Sequence, residues 1–156
     1  MKRCFDLVLA SVLIVLLFIP LIIVVLIIKL TSKGPSIHWS KRIGKGNKTF
    51  RMPKFRTMIS STPQVATHLL DNPDSFYSPF GIFLRKSSLD ELPQLLSIIK
   101  GDMSFVGPRP ALFNQSDLME SRARKGIHEL TPGLTGWAQV NGRDELSIKQ
   151  KVEFDE

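Results

Sequence analysis

The sequence predicts a membrane-embedded N-terminal helix followed by one small globular body. Three observations support this prediction. Residues 7–28 carry no charged side chain and a single polar one, Ser11. Residues 29–56 contain nine Lys and Arg residues and no Asp or Glu. Residues 71–156 mix ten cations with thirteen acids, as a globular surface does. We therefore divide the chain into a membrane segment, residues 1–30, and a second domain, residues 31–156.

The composition excludes several classes of protein. The chain has 156 residues, about one domain, and a formal net charge of +7. Its single cysteine, Cys4, excludes an intramolecular disulfide framework and a cysteine-based metal cluster. The histidines, His38, His68 and His128, form no pair at the spacing of metal ligands on one helix face. The basic stretch has few aromatic residues and follows an apolar segment, so it does not indicate nucleic-acid binding.

The apolar segment predicts a membrane helix with a kink. As a helix, residues 7–28 would be about 33 Å long, enough to cross a hydrocarbon core. The run is too long for a signal peptide and lacks a small-residue cleavage site. Pro20 lies near its middle and lacks an amide hydrogen, so we expect the kink there. Cations flank both ends, which is compatible with a single span or with a re-entrant hairpin; physics alone favours the single span.

The basic stretch predicts a β-hairpin. Two β-like pieces, Ile37-His38-Trp39 and Thr49-Phe50-Arg51-Met52, flank the turn composition Gly44-Lys45-Gly46-Asn47. Its cations form a solvated collar beside anionic lipid, or one of them, Lys54 or Arg56, points into a phosphate site. Residues 60–80 are polar and Pro-rich, which predicts a mobile loop, and the next helix is expected to end near Arg85.

The most informative stretch is Ser88-Leu89-Asp90-Glu91-Leu92-Pro93-Gln94, which continues to Gly101. Ser88 and Glu91 match a capping box, so we predict a helix of about three turns that starts here. Its expected apolar face consists of Leu92, Leu95, Leu96 and Ile99. The adjacent acids Asp90 and Glu91 either complement the helix dipole or act on a phosphate as nucleophile and Mg²⁺ ligands.

Two turns downstream carry further polar groups. Gly107-Pro108-Arg109-Pro110 is a stiff turn that presents one guanidinium, suited to phosphate binding or simply exposed. The second is a glycine-rich stretch, which either frames a nucleotide or serves as a packed connector. Its sequence is Thr131-Pro132-Gly133-Leu134-Thr135-Gly136-Trp137-Ala138-Gln139-Val140-Asn141-Gly142-Arg143. A GxGxxG fingerprint is absent from the sequence, so dinucleotide binding is not indicated.

Taken together, these stretches resemble the bacterial monotopic phosphoglycosyl transferases over nearly the whole chain. The matching pieces are the apolar segment with Pro20, Pro53-Lys54-Phe55-Arg56-Thr57-Met58, the stretch from Ser88 to Gln94, the stretch from Lys100 to Pro110, and the stretch from Pro132 to Arg143. Such enzymes move a sugar 1-phosphate from a UDP-sugar to undecaprenyl phosphate and release UMP. This reaction starts the lipid-linked glycans of O-antigen, capsule, exopolysaccharide or glycoprotein.

The resemblance implies a fold and a location. It implies a mostly helical α+β catalytic domain, with amphipathic helices on the membrane surface, on the cytoplasmic face of the bacterial inner membrane. It also implies a re-entrant N-terminal helix broken near Pro20, which reverses the preference for a single span. Family members continue with further helices beyond the position of Glu156, so the C-terminal end is shorter than usual for the family.

The resemblance also implies roles for individual residues. Asp90 matches the nucleophile that forms a covalent phosphosugar intermediate, and Glu91 is its partner in proton handling or metal binding. Both are expected to bind Mg²⁺. Arg109 is the candidate phosphate clamp. Further candidates for phosphate or substrate binding are Arg85, Lys54, Arg56 and Arg143.

Other functions and partners stay open on this reading. The alternative to a transferase is an inactive or truncated membrane-anchored module that binds nucleotide or lipid phosphate. The expected partners are a UDP-sugar, polyprenyl phosphate and inner-membrane lipid, with no nucleic acid. The amphipathic stretch 111–126 serves either a homodimer or the core.

Overall fold

The structure, a computed structural model, describes residues 1–59, 62, 73–142 and 145–156. Its α-helices are α1 (Lys2–Leu16), α2 (Phe18–Thr31), α3 (Gly81–Lys86), α4 (Leu95–Lys100), α5 (Ser116–Arg124), α6 (Trp137–Val140) and α7 (Ile148–Asp155). Its strands are β1 (Ile37–Ile43), β2 (Thr49–Phe55), β3 (Ser104–Val106) and β4 (Gly133–Thr135). Short 3-10 helices occupy Lys45–Asn47, Pro73–Phe76, Leu89–Gln94 and Ile127–Glu129. The predicted mixture of helices and small sheets is confirmed. Most of the predicted loop 60–80 lies outside the described residues.

The apolar segment forms two helices that meet at a bend of 62°. The predicted kink is confirmed, but the break lies at Leu17, and Pro20 is in the first turn of α2. In a continuous helix the Pro20 ring would clash with the Leu16 carbonyl and donate no hydrogen bond to it, so the helix breaks just before Pro20. Among the described helices, none alone is long and apolar enough to cross a bilayer, whereas the bent pair together is. A bent pair of this kind is compatible with a kinked single span and with a re-entrant hairpin.

Both helices of the bent pair pack against the rest of the chain. In α1, Ala10 is fully buried in a cluster with Met52, Leu95, Ile98 and Met103. In α2, Val24 and Ile28 are buried in a second cluster with Phe55 and Leu84. The outer faces of both helices stay apolar and exposed, as at Val8, Val15, Ile19 and Leu26. Each helix of the pair therefore has one face in the core and another face that is apolar and exposed.

The buried carboxylate of Asp6 attaches α1 to strand β3. Asp6 accepts a hydrogen bond from the Ser104 hydroxyl at 2.8 Å and another from the Phe105 amide at 3.1 Å. Only 3% of Asp6 is exposed. A charged group this deeply buried needs such partners, because an unsatisfied one costs several kcal/mol in order of magnitude. These two hydrogen bonds therefore fix the position of α1 along β3.

Arg3, at the start of α1, caps the C-terminal end of α4. The Arg3 guanidinium donates to the Ile98 carbonyl at 2.5 Å and to the Ile99 carbonyl at 2.6 Å. These are among the last carbonyls of α4, which have no partner within that helix and favour a cation. Gly101 follows in the left-handed conformation, with φ of 97°, as a helix-ending glycine does.

The predicted β-hairpin is confirmed and is longer than expected. Strands β1 and β2 are antiparallel, and His38 lies opposite Lys54 in the register. The connecting turn places Gly46 and Asn47 at positive φ, which glycine and asparagine tolerate best. Strands β3 and β4 form a separate parallel pair, with Ser104 opposite Gly133. In sequence order, the hairpin precedes the 3-10 helix Leu89–Gln94, and strands β3 and β4 follow it.

The predicted three-turn helix is only partly correct. Its first half is the 3-10 helix Leu89–Gln94 and its second half is α4. Leu95 and Ile98 are buried, whereas Leu96 and Ile99 are exposed, so the expected apolar face is wrong at these last two positions. A 3-10 helix advances three residues per turn, so a pattern drawn for 3.6 residues per turn fails across the change.

The amphipathic stretch 111–126 contains α5, which packs into the core. Leu118 is buried with Val152 of α7 and Ile127. The core role that the sequence left open is therefore confirmed, and the homodimer stays a prediction.

Replacing Asp6 by leucine is expected to loosen α1 from β3. Asp6→Leu leaves the Ser104 hydroxyl and the Phe105 amide without their acceptor, at a cost of about 1–3 kcal/mol for a buried group. Asp6→Asn keeps one acceptor oxygen and is expected to lose less. Thermal unfolding in detergent micelles, followed by tryptophan fluorescence, measures both variants. Glu120→Gln, on the exposed face of α5, is the matched control, and an Asp6→Leu melting curve equal to the control's would contradict this role.

Candidate active site

The two adjacent acids are buried in a helix whose backbone is unusual. Asp90 and Glu91 lie in the 3-10 helix Leu89–Gln94, with 7% and 9% of their surface exposed. Ser88 precedes them in the left-handed conformation, at φ of 57°, which is uncommon for a residue other than glycine. This turn leads the chain out of α3 and directs the acids inward.

The predicted capping box is wrong. The Ser88 side chain makes no capping hydrogen bond, so the reciprocal pair of a capping box is not formed. Instead, Oε1 of Glu91 accepts from Lys54 Nζ at 2.7 Å and from Arg109 Nη2 at 3.2 Å. The structure thus brings together four of the predicted site residues: Asp90, Glu91, Lys54 and Arg109. Glu91 is the carboxylate that joins the two cations.

The surroundings of Lys54 weaken its hold on a proton. Burial lowers the pKa of the Lys54 ammonium, and the nearby Arg109 charge lowers it further, while Glu91 and Asp90 oppose both effects. The Lys54 side chain is 15% exposed. Lys54 therefore loses its proton at a lower pH than an ordinary lysine, and the two carboxylates keep it charged below that pH.

Arg109 is carried by a stiff turn, residues 106–111, which we call the arginine turn. The Gly107 amide donates to the Thr135 carbonyl at 2.9 Å, and the Gly133 amide donates to the Pro108 carbonyl at 2.9 Å. The two backbones approach so closely that a Cβ at Gly133 would lie 2.1 Å from the Gly107 nitrogen. Strand β4 therefore fixes the arginine turn from one side, and only glycine fits at position 133.

A cleft of about 300 Å³ opens beside Glu91 and Arg109. Its walls come from the 3-10 helix, the arginine turn and the segment from β4 to α6. The residues that line it include Ser88, Leu92, Leu134, Thr135, Gln139 and Val140. The cleft is lined by one cation, Arg109, one carboxylate, Glu91, and several apolar side chains, a combination suited to a phosphorylated ligand with an organic portion.

The glycine-rich stretch 132–143 contributes to this cleft through Gln139. Both polar atoms of the Gln139 amide are buried, and neither has a hydrogen-bond partner among the described residues. A buried amide with no partner is rare in proteins, and a ligand in the cleft is one way to satisfy it. Sequence reasoning named Gln139 only as part of the loop. Ser88 and Thr135 also line the cleft, although the sequence carried no signal for that role beyond their position in the motifs.

Of the remaining candidate cations, Arg85 and Arg56 contact other parts of the chain. Arg85 lies over the Tyr77 ring, 5.6 Å from its centroid, with Nη1 3.4 Å from the Tyr77 hydroxyl. Arg56 is buried and donates to the Lys33 carbonyl at 2.7 Å and to the Ser32 hydroxyl at 2.6 Å. These contacts tie β2 to the end of α2, so Arg56 has a structural task, and its role toward phosphate stays a prediction. Arg143 lies outside the described residues.

Asp90 and Glu91 suit a magnesium ion in the chemistry of their donor atoms. Among the described residues, no group of three or more His, Cys, Asp and Glu side chains gathers as a metal site. Mg²⁺ usually binds through one or two carboxylates and completes its shell with water and substrate phosphates. A pair of adjacent carboxylates beside a cleft fits that pattern.

Comparison with known proteins gives a consistent picture. The sequence profile of the bacterial sugar transferases matches residues 1–156. The chain is 39% identical to the uncharacterized sugar transferase EpsL of Bacillus subtilis (strain 168), over 99% of this chain and 75% of that protein. It is 38% identical to the exopolysaccharide production protein ExoY of Rhizobium meliloti (strain 1021), over 99% of this chain and 74% of that protein.

A third relative has a name that states a reaction. The chain is 38% identical to the UDP-glucose:undecaprenyl-phosphate glucose-1-phosphate transferase of Escherichia coli (strain K12). The match covers 99% of this chain and 35% of that protein.

The lowered pKa of Lys54 predicts how anion binding depends on pH. We expect affinity for pyrophosphate to fall as the pH rises through this pKa, because the neutral amine no longer attracts the anion. The fall comes at a lower pH than for an ordinary lysine, and Lys54→Arg moves it to higher pH. Isothermal titration in detergent micelles measures both, with Lys48→Arg on the exposed end of the hairpin as control. The ligand titrates identically in each protein, so indistinguishable curves for native and Lys54→Arg chains would rule out this role for Lys54.

Proposed function

The chain belongs to the bacterial sugar transferase family, and from this premise we propose that it transfers a sugar 1-phosphate from a UDP-sugar to undecaprenyl phosphate and releases UMP. The observation that carries the proposal is the pair of buried acids, of which Glu91 contacts Lys54 and Arg109 and lines the cleft together with Arg109. Asp90 and Glu91 are adjacent, and Glu91 binds both Lys54 and Arg109. The relative that acts on UDP-glucose and undecaprenyl phosphate by name supports the same reaction.

The first half-reaction is a displacement at the β-phosphorus of the donor. A carboxylate oxygen of Asp90 donates an electron pair to that phosphorus. The bond between the phosphorus and the bridging oxygen breaks, and UMP leaves with the bonding electrons. Asp90 then carries the sugar phosphate as an acyl phosphate.

The second half-reaction restores the enzyme. A phosphate oxygen of undecaprenyl phosphate attacks the same phosphorus, and the bond to Asp90 breaks. The products are the polyprenyl diphosphosugar and a free Asp90 carboxylate. The two substrates use one nucleophile in turn, so the kinetics are ping-pong.

The cations explain how a carboxylate approaches a diphosphate. Two like unit charges about 4 Å apart repel by about 4 kcal/mol at an effective dielectric of about 20, which is nearly a thousandfold in rate. Lys54 and Arg109 stand beside the acids and offset this repulsion. Glu91 holds both cations through one oxygen atom, so its role in this mechanism is to position them. Asp90 is the neighbouring carboxylate to which we assign the attack.

We further propose that Asp90 and Glu91 hold Mg²⁺. When bound, the ion would withdraw charge from the diphosphate oxygens. In this proposal Arg109, and Lys54 while it is protonated, supply the positive charge that comes from the protein itself.

We propose that the bent helix pair is a re-entrant membrane anchor, with the folded body on the cytoplasmic face of the inner membrane. The positions of the two ends of the pair support the re-entrant form. At the start of α1, Arg3 donates to carbonyls of α4, and near the end of α2, Ile28 is buried against Phe55 and Leu84. Both ends therefore contact the same folded body. A spanning segment would instead separate its ends by about 30 Å, on opposite faces of the bilayer. The exposed apolar residues around the bend, Val15, Leu16, Phe18 and Ile19, suit contact with lipid tails.

A change at Asp90 tests the transferase directly. We expect Asp90→Asn to lower UMP release by about a thousandfold or more, because the amide cannot act as the nucleophile. The protein is assayed in nanodiscs with a panel of UDP-sugars, Mg²⁺ and undecaprenyl phosphate. Without the lipid acceptor, the native chain is expected to gain the mass of one phosphosugar and the variant to gain none. Asp117→Asn, at the exposed start of α5, is the control.

The same assay separates the alternatives. A module that only binds nucleotide releases no UMP from any donor, and a hydrolase gives free sugar phosphate without the lipid. UMP release that persists in Asp90→Asn would exclude Asp90 as the nucleophile.

The anchor is tested with the single native cysteine. Cys4 is exposed near the start of α1, and Lys33 is exposed just after α2. We compare the native chain with Cys4→Ser plus Lys33→Cys, using a membrane-impermeant maleimide. A re-entrant anchor predicts labelling of both thiols in inverted inner-membrane vesicles and of neither in intact spheroplasts. Labelling of Cys4 from outside alone would indicate a span, and labelling after detergent treatment verifies that each thiol reacts.

A further inference from the structure

A buried ion pair contacts the arginine turn. Arg122 of α5 donates to Asp155 of α7 from Nε at 3.0 Å and from Nη2 at 2.5 Å, both to Oδ2. The Asp155 side chain is 1% exposed and the Arg122 side chain 11% exposed. The pair is therefore among the most deeply buried charges of the described chain.

The remaining edge of the same guanidinium holds the backbone of Arg109. Nη1 of Arg122 donates to the Arg109 carbonyl at 2.7 Å. Asp155 occupies the other edge of the guanidinium, so it fixes the direction in which Nη1 points. A planar fork with five donors can serve two acceptors in this way, whereas a lysine offers one point charge.

The arginine turn needs such outside support because of its composition. Pro108 and Pro110 have no amide hydrogen, so the turn is held mainly through its carbonyls. Pro108 is held by the Gly133 amide at 2.9 Å, Arg109 by Arg122, and Pro110 by Arg42 Nη1 at 3.2 Å. Arg122 is the support that acts on Arg109 itself.

A contribution to folding stability is a poor explanation for the buried ion pair of Arg122 and Asp155. Burial raises the pKa of the Asp155 carboxyl, and Arg122 opposes that rise only in part. Buried ion pairs are often replaceable by apolar residues without loss of stability, because removing two charges from water is costly. An apolar pair at these positions would pack, but it could not donate to the Arg109 carbonyl.

We propose that Arg122 and Asp155 are positioning residues for the transfer reaction: the pair fixes the Arg109 backbone so that the Arg109 guanidinium meets both Glu91 and the donor phosphate. This inference rests on the proposed function. It assigns no contact with substrate to either member of the pair. Asp155 acts on Arg109 through Arg122.

A double-mutant cycle distinguishes positioning from a merely structural role. We expect Asp155→Asn to lower kcat/KM for UMP release by about a hundredfold, the scale of a small misplacement of a catalytic group. In an Arg109→Ala background the same change is expected to cost less than about twofold, because the group that it positions is gone. Glu120→Gln, which alters the exposed pair with Arg124, is the control. Equal losses in both backgrounds would overturn the proposal.

A second variant covers the case in which Asp155→Asn fails to fold. Arg122→Lys keeps the charge beside Asp155 but loses the planar fork that directs separate N–H donors at Asp155 and at the Arg109 carbonyl. We expect it to melt near the native temperature and to show the same dependence on Arg109. Native activity in a folded Arg122→Lys chain would also overturn the proposal.

A spectroscopic measurement separates this inference from the transferase function. In chains labelled with ¹⁵N-arginine, the Arg109 Nε–H signal is assigned by its loss in Arg109→Lys. We expect the signal to shift or broaden in Arg122→Lys, whatever the activity of the protein. An unchanged Arg109 signal rejects positioning, whereas absence of UMP release from the native chain with every donor rejects the function instead.

Discussion

The Glu91 carboxylate is the group on which the arrangement of the site depends. One oxygen atom of Glu91 accepts from Lys54 on the hairpin and from Arg109 on the arginine turn. Three separate parts of the chain are thereby brought to one point. Without this carboxylate, two cations would face each other in a partly buried place, and their repulsion would separate β2 from the arginine turn. The position of Asp90 follows, because it is the next residue on the same short helix.

This arrangement requires local geometry that a stable helix would avoid. Ser88 adopts the left-handed conformation, and the acids lie on a 3-10 helix, whose hydrogen bonds are poorer than those of an α-helix. Such backbone persists only where surrounding contacts determine it, and it often marks a functional site. Here those contacts come from β2, the arginine turn and the buried Leu95 and Ile98 of α4. The N-terminal helix α1 contributes as well, because Asp6 attaches it to β3 and Arg3 attaches it to α4.

Patterns that depend on neighbouring residues were predicted well. The hairpin followed from its turn composition, and the bend followed from Pro20, although the break lies three residues earlier because the ring of a proline clashes with the preceding turn. The capping box and the exposed positions Leu96 and Ile99 were wrong for one reason. Both predictions assumed that an α-helix begins at Ser88, and tertiary contacts of Glu91 favoured a 3-10 helix instead.

The sequence by itself determined the length of the apolar N-terminal segment, the adjacent acids, and the stiff turn around Arg109. These are properties of composition and of residues close in the chain. Only the tertiary structure decided that Lys54 meets Glu91, 37 residues away, and that Arg122 meets Asp155, 33 residues away. It also committed Arg56 to the end of α2. Each of these arginines and lysines has the same charge and similar reach, so partner choice depends on where the backbone brings them, which local patterns do not encode.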